Sequence, residues 1–161
     1  MILLQINTTA NWGSTGKIAE QIGERIIEQG GACFLAFGYY DNPGRSTQIR
    51  IGSDRGIRLH KRLAKYLDTH GLHSTRVTRR LIERIREINP DIIHLHNLHG
   101  DYINYRVLFE YLETTTVPVV WTLHDCWSFT GRCAHYMTNG CDKWKSECYD
   151  CQFKRSYPKT K

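Results

Sequence analysis

A chain of 161 residues is long enough for one domain with a packed core and too short for two full ones. Its composition, 40% hydrophobic and 24% charged, excludes a disordered or fibrous protein, and no apolar run approaches the ~20 residues of a membrane helix. The net charge is +6, yet ten lysines and arginines fall between Arg55 and Arg86 against only Asp68 and Glu83, so the rest of the chain is slightly acidic.

The first apolar run, Ile2 to Ile6, ends in polar and Gly-bearing residues, as a buried parallel strand entering a loop does. A helix follows, with Ile18, Ala19, Ile22 and Ile26 at helical spacing, Ser14 or Thr15 as its cap and Gly30-Gly31 as its end. The run ACFLAFG is a second strand, which makes the first 38 residues a β-α-β unit. The stretch YYDNPGRS is a loop and TQIRIG a short strand. Two basic helices are predicted over about 54–68 and 74–89, the second stopped by Pro90. DIIHLHN is a fourth strand, DYINYRVLFEYLETTT an amphipathic helix, and VPVVWTLHD a fifth strand. Apolar strands alternating with helices predict an α/β fold, a Rossmann-like, doubly wound and mostly parallel sheet over residues 1–125. Residues 126–161 form a Cys-rich loop segment of the same domain.

Ligands of such sheets sit beyond the carboxyl ends of the strands. Polar and titratable residues collect there: Asn7 to Lys17 after the first strand, His94, His96, Asn97, His99 and Gly100 around the fourth, and His124 and Asp125 after the fifth. The turn Gly13-Ser14-Thr15-Gly16-Lys17 matches neither phosphate motif fully. A Walker loop needs Gly where Asn11 stands and Ser or Thr where Ile18 stands, and the dinucleotide pattern lacks its acidic residue after the second strand. The turn therefore opens a helix whose free N–H groups suit an anion or sugar hydroxyls, or it is a tight turn without a ligand.

His94 and His96 alternate on a strand and share a face, and one of the two is expected to be a core histidine bonded to backbone. His124 stands where its strand leaves the sheet, placed to donate to a sugar hydroxyl or a diphosphate oxygen, with Asp125 to orient it or cap the next segment. Cys133, Cys141, Cys148 and Cys151 are spaced for a closed tetrahedral zinc site, structural rather than catalytic. Two disulfides or reduced thiols are the alternatives. The N-terminus, without a basic start or a long apolar run, reads as no signal peptide and predicts a cytoplasmic chain, where disulfides are uncommon. Residues 55–86 present either two solvated helix faces or an attraction to an anionic membrane surface. Nucleic acid is a third partner the charge allows, although Tyr66 alone is available for stacking, and none is expected.

The stretches PDIIHLHNLHGDYIN, PVVWTLHDCWSFTGRCAHY and CDKWKSECYDC, with the GSTGKIA turn, resemble the N-terminal half of bacterial family 4 glycosyltransferases that build capsule, exopolysaccharide and O-antigen. The resemblance runs over nearly the whole chain. It implies one half of a GT-B fold, with the acceptor on this side and the nucleotide sugar on a C-terminal domain. It further implies that Gly13 to Gly16 approach the donor diphosphate or the transferred sugar, and that His124 contacts that sugar. Transfer would retain anomeric configuration without a catalytic metal, and the basic helices would meet a lipid-linked acceptor at the cytoplasmic membrane face. The acidic nucleotide-binding pair of such enzymes has no counterpart before Lys161, which predicts a truncated chain inactive alone. The other readings are a non-catalytic polysaccharide- or membrane-surface-binding module and a zinc-stabilised nucleic-acid-binding domain.

Overall fold

The computed structural model describes residues 1–130, 133–148 and 150–153. The tail KRSYPKTK lies outside the described residues. Among the described residues the strands and α-helices are β1 (Ile2–Asn7), α1 (Gly13–Glu28), β2 (Ala32–Phe37), β3 (Thr47–Arg50), α2 (Asp54–Leu67), α3 (Thr75–Ile88), β4 (Ile92–Leu95), α4 (Tyr105–Leu112) and β5 (Val119–Trp121). The strands form one sheet in the order β3-β2-β1-β4-β5, every pair parallel. This is the Rossmann-like doubly wound sheet, and its strand order reverses between β1 and β4.

The two faces differ in chemistry because side chains alternate along a strand. Leu4, Ile6, Ala36, Ile93 and Leu95 pack with Ile57, Leu81, Ile85 and Leu108 into the main core, under α2, α3 and α4. A smaller cluster of Ala10, Ala19, Leu35 and Phe37 lies under α1. On the α1 face β1 carries Gln5 and Asn7, both fully buried; β4 carries His94 in register with Gln5, and His96 is the first residue past the end of β4. The strands expected to be apolar throughout therefore hold a buried polar stripe on one face.

Helix α1 differs from its expected form in two ways. It begins at Gly13, capped by Trp12 without a side-chain hydrogen bond, rather than at Ser14 or Thr15. Its buried face is Gly16, Ala19, Glu20 and Gly23, while Ile18 is exposed. The small residues let the helix lie close on the sheet: a Cβ on Gly23 would stand 2.3 Å from Ser46 Oγ and 2.8 Å from Cys33 Sγ. Buried Glu20 faces the loop before β3, where its Oε1 accepts the N–H groups of Arg45 and Ser46.

Helix α4 is shorter than its amphipathic pattern. Asn104 caps it, accepting the Val107 N–H at 3.2 Å, while its own N–H donates to Thr78 Oγ1 at 2.8 Å. Asp101 to Ile103 are thus a buried loop rather than a first helical turn. Strand β5 holds three residues and lies at a sheet edge, which leaves Val119 and Val120 exposed rather than buried as their apolar run suggested.

Candidate functional site

The site is assembled where β1 and β4 turn away from each other at their carboxyl ends. Asn7, the last residue of β1, joins its two sides. Its Nδ2 donates to Thr9 O at 2.9 Å and contacts Thr15 Oγ1 at 3.4 Å, and its Oδ1 accepts the Asn97 N–H at 3.3 Å. The glycine turn and the segment after β4 are therefore held by one buried amide. Within the turn Gly13 has φ +66°, a left-handed conformation that favours glycine. Gly16 is required by contact: a Cβ there would stand 2.6 Å from Thr9 Oγ1, the hydroxyl that donates to Trp12 O at 2.8 Å. Ser14 and Lys17 are exposed, Thr15 is half-buried, and no side chain caps the start of α1, where the first N–H groups of a helix lack intrahelical partners.

Across Asn7 stand the histidines. His96 is buried and His124 half-buried, and their rings lie parallel with His96 Nδ1 and His124 Nε2 2.9 Å apart. His96 Nε2 is 2.9 Å from Gln5 Oε1. His94 continues the stack, its centroid 4.1 Å from that of His96, and bonds the Thr122 hydroxyl at 2.8 Å. Among the described residues neither His94 nor His96 bonds backbone through its ring, contrary to the expectation for one of them. Burial lowers the pKa of all three, and His94 and His124 lower that of His96 further, to about 3. For His124 the neighbouring Asp125 works against burial without cancelling it.

Asp125 turns away from His124 toward a different partner. Its Oδ2 is 2.7 Å from His99 Nε2, and its Oδ1 accepts the Trp127 N–H at 2.9 Å. Burial acts to raise its pKa, but the bonds from His99 and Trp127 outweigh it and hold the carboxyl below its ordinary range. Both expected roles of Asp125 meet here in altered form: it caps the next segment, and it orients His99 rather than His124. His96, Asn97, His99, His124 and Asp125 line one small depression together with Trp121 and Trp127. Trp121 is held there by donating its Nε1–H to His96 O at 2.9 Å.

His96, Asn97, His99, His124 and Asp125 thus come together, and Asn7 links Thr15 of the glycine turn to Asn97, whereas Gly13, Ser14 and Lys17 are exposed and the four cysteines do not line this depression. Gln5 was missed as a site residue, and Asn7, read only as the start of the polar edge, was given no role of its own. The signal for them was present in ILLQIN, where Gln5 and Asn7 alternate with Leu4 and Ile6 and so share one face.

The four cysteines proposed as zinc ligands are not gathered. No group of three or more His, Cys, Asp or Glu able to hold a metal occurs among the described residues, and none of the six thiols forms a disulfide among them. The segment folds instead on aromatic rings: Phe129, Tyr136 and Trp144 meet with centroids 4.8–6.3 Å apart, over short turns at Tyr136–Asn139 and Lys143–Lys145. Cys148 is exposed.

A parallel sheet with buried polar residues and a helix N-terminus at its switch point is the place where α/β domains of this class hold ligands, and sequence comparison specifies the family. The chain belongs to glycosyltransferase family 4, whose model matches residues 17–152. The Gly13–Gly16 turn precedes the matched residues. The chain is similar over 100% of its length to the putative colanic acid biosynthesis glycosyl transferase WcaC of Escherichia coli (strain K12), with 28% identity over 175 aligned positions. It spans 42% of that relative's length. No solved structure matches the chain. Among the described residues no helix is long and apolar enough to cross a membrane.

Proposed function

We propose that this domain is the acceptor-side half of a GT-B enzyme. It transfers a sugar, with retention of anomeric configuration, from a nucleotide sugar to a growing cell-surface polysaccharide or lipid-linked saccharide. The observation that supports this is the bridge made by Asn7, which links Thr15 of the glycine turn to Asn97, the residue that follows His96 of the His96–His124 pair. The turn offers unpaired N–H groups to the donor diphosphate, and His124 meets the transferred sugar. The relative's role in colanic acid biosynthesis supports a polysaccharide product. Beside the turn a cleft of about 940 Å³ is lined by Trp12, Tyr40, Arg58 and Lys61, with the two rings 4.7 Å apart. Aromatic faces beside cations suit an acceptor that carries both sugar and phosphate.

A specific feature of α2 favours a lipid-linked acceptor. The helix buries Ile57, His60 and Ala64, but a second apolar stripe of Leu59, Leu63, Tyr66 and Leu67 points elsewhere. Leu59, Tyr66 and Leu67 are 57%, 52% and 60% exposed. Arg55, Arg58, Arg62 and Lys65 flank that stripe, all exposed. Apolar and basic sectors side by side fit the interface of an anionic bilayer.

The enzymatic reading is tested in a chimera in which this chain replaces the matching part of the E. coli relative. Transfer of sugar from a nucleotide sugar should be retained and should fall ~100-fold or more in His124→Ala. A chimera that transfers sugar equally well with His124→Ala would overturn the role given to that residue.

A further inference from the structure

The buried polar stripe fixes more than position; it fixes protons. Gln5 is the starting point. Its Nε2 lies 2.6 Å from the Ala19 carbonyl oxygen, an acceptor only, so that amide atom must be the nitrogen and the other the oxygen. The same nitrogen lies 3.4 Å from Cys33 Sγ. Gln5 Oε1 therefore points at His96 Nε2, 2.9 Å away, and can only accept. His96 Nε2 must carry the hydrogen.

His96 is 1% exposed and meets no carboxylate among the described residues, so it is neutral and its other nitrogen is bare. That bare Nδ1 lies 2.9 Å from His124 Nε2. Two bare nitrogens at this distance would repel, so His124 Nε2 carries a hydrogen and donates it to His96. With Nε2 occupied, a neutral His124 has a bare Nδ1. This nitrogen bonds to no group among the described residues.

We infer that Gln5 is a positioning residue which sets the tautomer of His124 through His96, so that His124 presents a bare Nδ1, an acceptor for a sugar hydroxyl. The sequence-based expectation that His124 donates is thereby reversed. A bare nitrogen accepts an O–H and repels a phosphate oxygen, so the site reads a hydroxyl at His124 and leaves the diphosphate to the glycine turn. Glu20 and Ser46 approach the same buried layer through Cys33, but neither contacts the Gln5 amide oxygen, and the relay runs in one direction from the Ala19 carbonyl. The hydroxyl assignment rests on the placement of His124 against a sugar; the proton assignment does not.

The test is a long-range nitrogen-proton correlation spectrum of the chain labelled at its histidines. In the wild type, His96 and His124 should both appear as the Nε2–H form. Gln5→Met, close in size but without an acceptor, should convert His124 from one form to a mixture. A wild-type His96 or His124 with its hydrogen on Nδ1 would overturn the inference without any variant. So would a folded Gln5→Met protein with an unchanged His124. In the chimera, a deoxy donor sugar lacking the recognised hydroxyl should lose the difference between wild type and His124→Ala; if it does not, the placement of His124 fails while the tautomer result stands.

Discussion

His99 Nε2 and Asp125 Oδ2 lie 2.7 Å apart, and this bond ties the segment after β4 to the segment after β5. Both side chains are largely withdrawn from water, at 17% and 11% exposure. Asp125 also accepts the Trp127 N–H, so one carboxylate sets the direction of the chain as it leaves the sheet. Removing it in Asp125→Ala should cost about 2 kcal/mol, the range for hydrogen bonds to a charged group. Asp125→Asn keeps an acceptor for Trp127 and should recover about half of that loss. Urea denaturation of the three proteins checks the order.

The buried histidines make the fold sensitive to acid. Burial lowers His60 to about 4, opposed by the charge of Asp101, and holds His96 near about 3. In the unfolded chain each titrates near ~6.5. Below that pH the unfolded state binds protons that the native state does not, so the stabilising effect is complete at higher pH and fades as pH falls. The expected slope is ~1.4 kcal/mol per pH unit for each histidine, continuing until the native ring itself protonates. Asp101 and Asp125, both held below their ordinary range, act in the same direction at lower pH: their contribution is lost once the carboxylates protonate. Urea midpoints measured from about pH 8 to about pH 5 should fall steadily below ~6.5, and a flat profile would count against the burial described.

The two glycines of the turn should respond differently. Gly13 has open space around its missing Cβ and only its positive φ to satisfy, so Gly13→Asn should cost well under ~1 kcal/mol. Gly16→Ala drives a methyl into Thr9 Oγ1 and breaks its bond to Trp12, at a cost of ~1–3 kcal/mol. Thermal unfolding of both variants decides this.

The apolar stripe on α2 predicts binding to anionic vesicles. Phosphatidylglycerol-containing liposomes should retain the chain on flotation, and added salt should weaken retention. Leu59→Glu with Leu67→Glu should abolish it while leaving the melting temperature within a few degrees, since both side chains are exposed. Equal retention of the double variant would remove the membrane from the account.

The Cys-rich segment gives the opposite kind of prediction. Cys148 is exposed and belongs to no metal-holding group among the described residues, so Cys148→Ser should change stability by less than ~0.5 kcal/mol. A large loss of melting temperature, together with a similar loss in the wild type on chelation, would restore the zinc site that the cysteine spacing suggested.

Much of this architecture was legible in the sequence because the strands are short apolar runs followed by turn residues. The helix-strand alternation leads directly to the parallel sheet, and the polar residues at its carboxyl edge to the site. Local misreadings have particular causes. Ile18 matched the helical period but is exposed, because α1 packs through Gly16, Ala19 and Gly23; close approach favours small residues, which a search for large apolar ones passes over. Val119 and Val120 read as buried, yet edge position is a property of strand order rather than of a local run. Gln5 is separated by 91 positions from His96, and only the parallel register of β1 and β4 brings them together. The cysteine spacing carried a metal reading that ignored Phe129, Tyr136 and Trp144, the rings on which that segment packs.

The central claim, that the edge between β1 and β4 handles a nucleotide sugar, is tested most directly by amide chemical shifts. The isotope-labelled chain is titrated with a panel of nucleotide sugars and with a soluble diphosphate-linked saccharide. The account predicts that the perturbed amides cluster at Gly13 to Gly16, Asn97 and His124, with the saccharide extending the effect toward Tyr40 and Lys61. Perturbations confined to α3, or spectra unchanged up to the solubility limit of every ligand, would contradict it.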